Sequence, residues 1–313
     1  MDGKRLIEKI KLRNILSFGD KGEEIILEPL NIIIGQNASG KSNLIDVIKL
    51  LKSLIENNDF ADFIGRSGGI DEWIWKGKNK YKLAEINVSI SNLNSQITYA
   101  LTFTEYFYKS GITKETVVEN KKGRKKTISR EKDTDPKTSM LSYIESRKYS
   151  ENVILLLLSA FVSPMVYSDL QTNRKSEIRY PQDTSISESF LEEDGSNLSL
   201  VLNDLELKGD TKDKILDNFK KFNPRVKGYG IKIFETVVQF YVREEGLEKP
   251  ISAMRLSDGT LRYLCLLAIL CHPEPPPLIC IEEPETGLHP DILPTIAELM
   301  IEASQRTQLI VTT

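Results

Sequence analysis

The sequence predicts an α/β fold with a mixed core sheet, an antiparallel β meander and a helical lobe. Three observations carry this expectation. An apolar run, Leu30-Asn31-Ile32-Ile33-Ile34, leads into a glycine-bounded turn and then into apolar residues at helical spacing. Two further apolar runs, Leu278 to Ile281 and Gln308 to Thr312, bracket a helical pattern near the other end of the chain. Between these ends, period-two alternation gives way after Ser139 to helical periodicity.

Taken in order, Ile7 to Phe18 alternates as a strand, and Glu24 to Leu27 and Leu30 to Ile34 read as two more. The turn after the third is Gly35-Gln36-Asn37-Ala38-Ser39-Gly40-Lys41-Ser42, a phosphate-binding P-loop in its proper strand-to-helix context. Its glycines let backbone N–H groups converge on an anion, and the helix N-terminus adds partial positive charge. Lys41 is suited to the outer phosphates of a nucleoside triphosphate, and the Ser42 hydroxyl to Mg²⁺. These eight residues, with Asn43, are the nucleotide-binding candidates, and ATP with Mg²⁺ is the expected ligand. The plain alternative is an ordinary strand–turn–helix. The following helix runs from Lys41 to about Asn57, with Leu44, Val47, Ile48, Leu51 and Ile55 on one face.

Tyr81 to Ile90 and Gln96 to Thr104 form the meander, turning at Asn92-Leu93-Asn94, with short strands near Thr113 to Val118 and Lys126 to Ser129. The run Lys121-Lys122-Gly123-Arg124-Lys125-Lys126 is either a solvated hairpin tip or a contact to a DNA backbone. Helices follow over Ser139 to Phe161, Asn197 to Leu205 and Lys212 to Phe222, with Ser196 or Asn197 as a cap. Ile231 to Val242 returns to strand. A helix over Thr260 to Leu270, a proline-rich break, a strand, a helix over Pro290 to Ser304 and a last strand complete the chain.

With 313 residues, 40% hydrophobic and 28% charged, the chain has the composition of a soluble globular protein with a substantial core. No apolar run reaches the length of a membrane span, and a membrane partner is not expected. The net charge of -3 gives no overall pull towards nucleic acid, so such a contact must be a local patch. Cys265, Cys271 and Cys280 lie in apolar surroundings and point to a reducing, cytoplasmic setting. Cys271-His272 with Cys265 lacks the paired spacing of a metal site, which favours buried thiols.

Two carboxylates end the strand Leu278-Ile279-Cys280-Ile281-Glu282-Glu283. Beside a P-loop strand, Glu282 is the candidate metal ligand and Glu283 the candidate general base. The bland alternative is surface charge. Leu256-Ser257-Asp258-Gly259-Thr260 makes a second anion-competent helix start. Here the chain resembles the ABC-type ATPases, whose signature reads L-S-G-G-Q; Asp258 and Thr260 depart from it. Glu282-Glu283-Pro284-Glu285-Thr286-Gly287-Leu288-His289 aligns with the family's D-E-P-T-S-A-L-D, which makes His289 the D-loop position. The E-E-P-E-x-x-L-H-P form is similar to the heads related to RecF, SMC and OLD proteins. Lys11 to Gly19 resembles that group's opening segment and adds Arg13 to the nucleotide-binding set. Gly68 to Gly77 and Asp194-Gly195-Ser196-Asn197 carry the likeness further.

The resemblance implies a P-loop NTPase, an ABC-type head, with lobe I over about 1–135 and 225–313 and a helical lobe over about 136–224. It implies ATP hydrolysis between two copies, with Ser257, Asp258 and Gly259 of one subunit acting in trans on ATP held by the other. Such a homodimer, induced by ATP, is expected to work in DNA metabolism or anti-phage defence with DNA or a nuclease. Gln171 is the candidate for the family's γ-phosphate-sensing Q-loop glutamine, against an ordinary loop glutamine. The family's switch histidine is expected just after Thr313, as in a chain truncated at its C-terminus. Competing readings are a non-hydrolysing ATP-bound scaffold and the ATPase subunit of a transporter.

Overall fold

The computed structural model describes residues 3–36, 39–56, 60–78, 83–91, 96–106, 109–121, 123–129, 135–143, 149–186 and 189–313. The chain divides into two compact units, Lys4–Pro164 and Met1–Gly3 with Met165–Thr313.

The first unit contains β1 (Ile7–Arg13), β2 (Glu23–Ile26), β3 (Leu30–Ile33), α1 (Lys41–Glu56), α2 (Phe60–Arg66) and α3 (Ile70–Trp73). After them come β4 (Leu83–Ser91), β5 (Gln96–Tyr106), β6 (Lys109–Lys121), β7 (Arg124–Ser129) and α4 (Glu151–Phe161). Six strands form one antiparallel sheet in the order β2-β1-β4-β5-β6-β7. Alternation sends Ile10, Leu12, Ile86, Val88, Leu101 and Phe103 to the buried face, each contributing about 1.5–3 kcal/mol by burial. Helices cover that face: the Phe60 ring of α2 lies 5.0 Å from Phe103, and Phe161 of α4 lies 5.3 Å from Tyr99. One carboxylate sits inside this layer. Glu115 of β6 is fully buried and accepts from the Tyr99 hydroxyl at 2.8 Å, the Ser139 hydroxyl and the Met140 N–H at 2.8 Å.

β6 and β7 run longer than the short strands expected near Thr113 to Val118 and Lys126 to Ser129, and two other boundaries are moved by contacts elsewhere in the fold. β1 stops at Arg13 rather than Phe18, because Asn14 (φ 53) and Leu16 (φ 52) turn the chain. Ile15 instead bridges to Phe18 and Ile74. The helix expected from Ser139 is a 3-10 turn at Met140–Tyr143, and α4 begins only at Glu151. The Glu115 carboxylate occupies the donors of Ser139 and Met140, and Ser150 is extended (ψ 153). The expected turn at 92–94 lies outside the described residues.

The second unit contains β8 (Met165–Tyr167), β9 (Gln182–Asp183), α5 (Leu198–Glu206), α6 (Thr211–Phe222), β10 (Val226–Phe234) and β11 (Val237–Glu244). It continues with β12 (Ile251–Ser252), α7 (Asp258–Leu270), β13 (Leu278–Glu282), α8 (Leu293–Ala303) and β14 (Gln308–Thr312). β13 pairs in parallel with β8 and β14, with Cys280 opposite Val166 and Ile310. Its four residues Leu278 to Ile281 are all buried, as expected for a strand covered on both faces. α7 packs against α5, α6 and α8, and everything from Tyr263 to Leu270 is buried. The Tyr263 hydroxyl is satisfied by the Asn218 carbonyl at 3.1 Å.

The strand expected over Ile231 to Val242 is a hairpin of β10 and β11, reversed at Glu235 (φ 50). Asn197 precedes α5 but does not cap it with its side chain. Its Nδ2 donates to Phe190 O at 2.9 Å and its Oδ1 accepts from Glu192 N at 2.8 Å. The three cysteines are buried and unbridged. Burial pushes the Cys265 thiol up to about 12 and Cys271 to about 11, which keeps both protonated and unreactive.

Candidate functional site

In the first unit, β3 delivers the chain to Gly35 and α1 begins at Lys41. Gly40 has φ +91, and a Cβ there would lie 2.3 Å from Ser17 Oγ, so only glycine fits without displacement. Gly35 is similarly close to Ser39, whose Oγ would be 2.7 Å from an added Cβ. Ser39 N donates to Gln36 O at 3.1 Å and Asn43 N to Gly40 O at 3.1 Å, which folds the loop on itself. The Lys41 ammonium lies 2.5 Å from Gly35 O and 3.1 Å from Gln36 O, drawn over the loop. Asn37 and Ala38 lie outside the described residues.

Ser17 owes its place to a brace from the tryptophan segment. Leu16 N donates to Trp73 O at 2.8 Å and Trp75 N to Asn14 O at 3.1 Å. The Trp75 ring passes close to Gly19, where an added Cβ would be a tight 3.3 Å away, and to Gly77, where it would collide with the ring at 2.2 Å. The Gly68 to Gly77 segment therefore buttresses the loop. A cleft of about 380 Å³ borders the loop, walled by Ser17, Phe18, Glu23 and Ile25 opposite Gly35, Ser39, Gly40 and Lys41. That is within the usual size range of small-molecule sites. Arg13 turns its guanidinium to Asp20 O (2.8 Å), in the turn before β2, and to Glu85 of β4 (3.3 Å).

In the second unit, β13 brings Glu282 and Glu283 to its C-terminal end. Ser168, just after β8, donates to Glu282 Oε1 at 2.7 Å. Glu283 is exposed and left-handed (φ 44), an uncommon conformation for a residue with a side chain. Several contacts hold it there, among them Thr286 N donating to its carbonyl at 3.0 Å. Its N–H donates to Thr312 O at 2.8 Å, its carbonyl accepts from Arg262 Nη2 at 3.0 Å, and its Oε2 accepts from Thr286 Oγ1 at 3.2 Å. The exposed His289 accepts from Asp291 N through Nδ1 at 3.3 Å. Among the described residues no cluster of three or more His, Cys, Asp or Glu is arranged around a metal position. Ser42 and Glu282 offer hard oxygen donors of the kind Mg²⁺ takes, and Mg²⁺ keeps several waters.

α7 starts beside this turn. Ser257 is its N-cap, accepting from Thr260 N at 3.1 Å and lying 2.7 Å from Thr260 Oγ1. A Cβ at Gly259 would lie 2.8 Å from the Gly287 carbonyl, so the helix start and the 283–289 turn are in contact because this residue is glycine. Arg262, one turn further on, reaches Glu283. Gln171 is exposed in the loop after β8, and its N–H donates to Asp194 O at 2.9 Å. Gly195 (φ +81) approaches Leu170 and Cys265, which explains the Asp194 to Asn197 motif as a wedge behind that loop.

A family model described as "AAA domain, putative AbiEii toxin, Type IV TA system" matches residues 30–313. The chain belongs to this family. No curated protein gives a significant match. Among solved structures, the Smc head bound to the C-winged helix domain of ScpA aligns over 99% of this chain and 90% of its own, with TM-score 0.59 and 17% identity. The Smc head domain from Pyrococcus furiosus, with an extended coiled coil and bound to the C-terminal domain of ScpA, gives 0.56 and 16% over 98% and 89%. The head with coiled coil and joint from Pyrococcus yayanosii gives 0.53 and 13% over 98% and 92%. The fold is thus that of an ABC/SMC-type ATPase head, an α/β P-loop NTPase, and the family is one of nucleotide-binding ATPases. No described helix is long and apolar enough to cross a membrane.

The sequence reading missed Arg262 and Ser168. Each reaches one of the paired glutamates from a distant position in the chain, 21 residues away for Arg262 and 114 for Ser168, so no local pattern marks it.

Proposed function

We propose that the chain binds ATP with Mg²⁺ at Gly35 to Asn43 and hydrolyses it between two copies, drawn together by the nucleotide. The observation that carries this reading is the junction of α7 with the 283–289 turn. One surface holds both Ser257, suited to a partner's triphosphate, and Glu283, suited to activating water. The exposed N-terminus of a 13-residue helix supplies partial positive charge there.

In this reading Ser42 and Glu282 are the protein ligands of Mg²⁺, which when bound neutralises charge on the phosphates. Lys41 holds the outer phosphates. Glu283 accepts a proton from water as the water oxygen bonds to the γ-phosphorus; the bond to the β-bridging oxygen breaks and ADP and phosphate result. Gln171 senses the γ-phosphate, and Ser257, Asp258 and Gly259 act in trans with His289 at the D-loop position. Loss of the γ-phosphate releases the two copies. The whole chain acts as one head of two lobes.

The Glu283→Gln variant is expected to lose about 10²- to 10⁴-fold in phosphate release and to accumulate ATP-dependent dimers by sedimentation. Adding Ser257→Arg is expected to abolish those dimers while ATP still binds. Unchanged phosphate release in Glu283→Gln would remove the assigned base.

The reading extends to DNA as a partner, in DNA metabolism or anti-phage defence. The hairpin joining β6 and β7 supports it, since Lys121, Arg124, Lys125 and Lys126 are exposed together, with Lys122 outside the described residues. Replacing Lys122, Arg124 and Lys126 with Ala is expected to lower the salt slope of DNA binding by up to about three. An unchanged slope in a binding titration would return the hairpin to a solvated tip.

A further inference from the structure

Asp258 stands where the related signature has glycine, and the structure accounts for it through Arg179. That arginine closes the 3-10 turn Glu177–Arg179 and is 4% exposed. Its guanidinium reaches two separate segments. Nε donates to Thr172 O and Asn173 O at 3.0 Å each, and Nη2 to Thr172 O at 2.8 Å. Nη1 donates to Leu256 O at 2.6 Å, and Nη2 pairs with the Asp258 carboxylate. Thr172 and Asn173 directly follow Gln171; Leu256 and Asp258 flank Ser257.

We propose that Arg179 is a positioning residue that ties the Gln171 loop to the signature turn, with Asp258 as its charged anchor. A buried guanidinium tolerates few arrangements, because every donor turned away from its acceptor costs desolvation free energy. The fork is planar and rigid, so the carbonyls of 172–173 and 256 move as a set. A shift of the Gln171 loop therefore reaches the Ser257 N-cap within the same subunit, through the one guanidinium that holds both. A glycine at 258 would leave the arginine without this counter-charge, which explains why this chain departs from the signature there. The Gly195 wedge stiffens the input side by packing behind Leu170.

The inference rests on the nucleotide site and signature proposed above, and its test separates the two. Hydrogen exchange is measured on the full chain with and without ATP and Mg²⁺, diluted until sedimentation finds only monomer. In the parent, ATP is expected to slow exchange at Gly35 to Ser42 and to change it about fivefold or more at 256–260, the low end of usual site-to-site coupling. Arg179→Lys keeps the charge but loses the fork. Asp258→Asn keeps the shape of a side chain that is 63% exposed and so should fold normally. Both are expected to retain the response at 35–42 and lose it at 256–260. A parental response at 256–260 that survives in both variants overturns the coupling, as does a parent that responds only at the P-loop. A parent with no response at 35–42 overturns the nucleotide site itself, and this proposal with it.

Discussion

At α1 the approach to the helix is shaped chiefly by backbone: Gly40 sits at φ +91 close to Ser17, and Lys41 folds over the carbonyls of Gly35 and Gln36. At α7 side chains shape it instead. Ser257 caps the first turn, and Asp258 answers a buried arginine from 79 residues upstream. Both helix starts favour an anion, but they differ in what constrains their sequences. A site made of N–H groups and positive φ admits little besides glycine, so its motif stays readable. A site set by side chains can exchange residues provided a partner elsewhere compensates. Asp258 for glycine is such an exchange.

The comparison breaks most sharply at Lys41. Lys41→Ala is expected to weaken ATP affinity about a hundredfold, as for loss of charge-assisted hydrogen bonds worth about 3 kcal/mol. Ser257→Arg should leave monomer affinity within about twofold, measured with a fluorescent ATP analogue. Equal losses would mean the two helix starts are not functionally distinct.

The glycines sharpen it. Gly40→Ala forces a side chain into positive φ, costing about 1–2 kcal/mol, with the Ser17 contact in addition. Its thermal midpoint should fall and ATP binding should weaken with it. Gly259→Ala meets only the Gly287 carbonyl, in a helical residue without positive φ. It should leave monomer ATP binding intact while weakening ATP-induced dimers in sedimentation.

The smallest effect concerns His272, after α7. Its Nε2 meets Ser189 O at 3.0 Å and its Nδ1 accepts from Glu274 N at 3.1 Å, a pattern that suits the neutral ring. Burial, with Lys208 adding to it, holds this imidazole below its usual range, though the Ser189 carbonyl opposes the shift. The unfolded chain therefore takes up the proton first. Stability should hold above about pH 6.5 and decline slightly as pH falls towards the folded value. A His272→Gln variant should flatten that part of a urea-midpoint profile, whereas an unchanged profile would assign the slope to other groups.

Much of this architecture is legible from residues alone where one segment decides its own structure. β3, α1, β13 and β14 lie within a residue or so of their expected limits, because apolar runs, glycines and helical spacing act locally. The misreadings share the opposite cause. The end of β1 is set by Trp73 and Trp75, and the delayed start of α4 by Glu115. Arg262 and Arg179 are ordinary surface-type residues in the sequence, and only the fold brings them to Glu283 and Asp258. Gln171 is a candidate through the resemblance alone; nothing in its neighbours distinguishes it.

The acid inside β6 limits where the chain can be divided. Two donors to Glu115 come from Ser139 and Met140, past the last strand of the meander. A fragment ending at residue 138 would lack both and keep an under-solvated carboxylate in an oily layer, a penalty of several kcal/mol. The meander cannot be excised at its own last strand; an expressible piece has to carry the following turn with it.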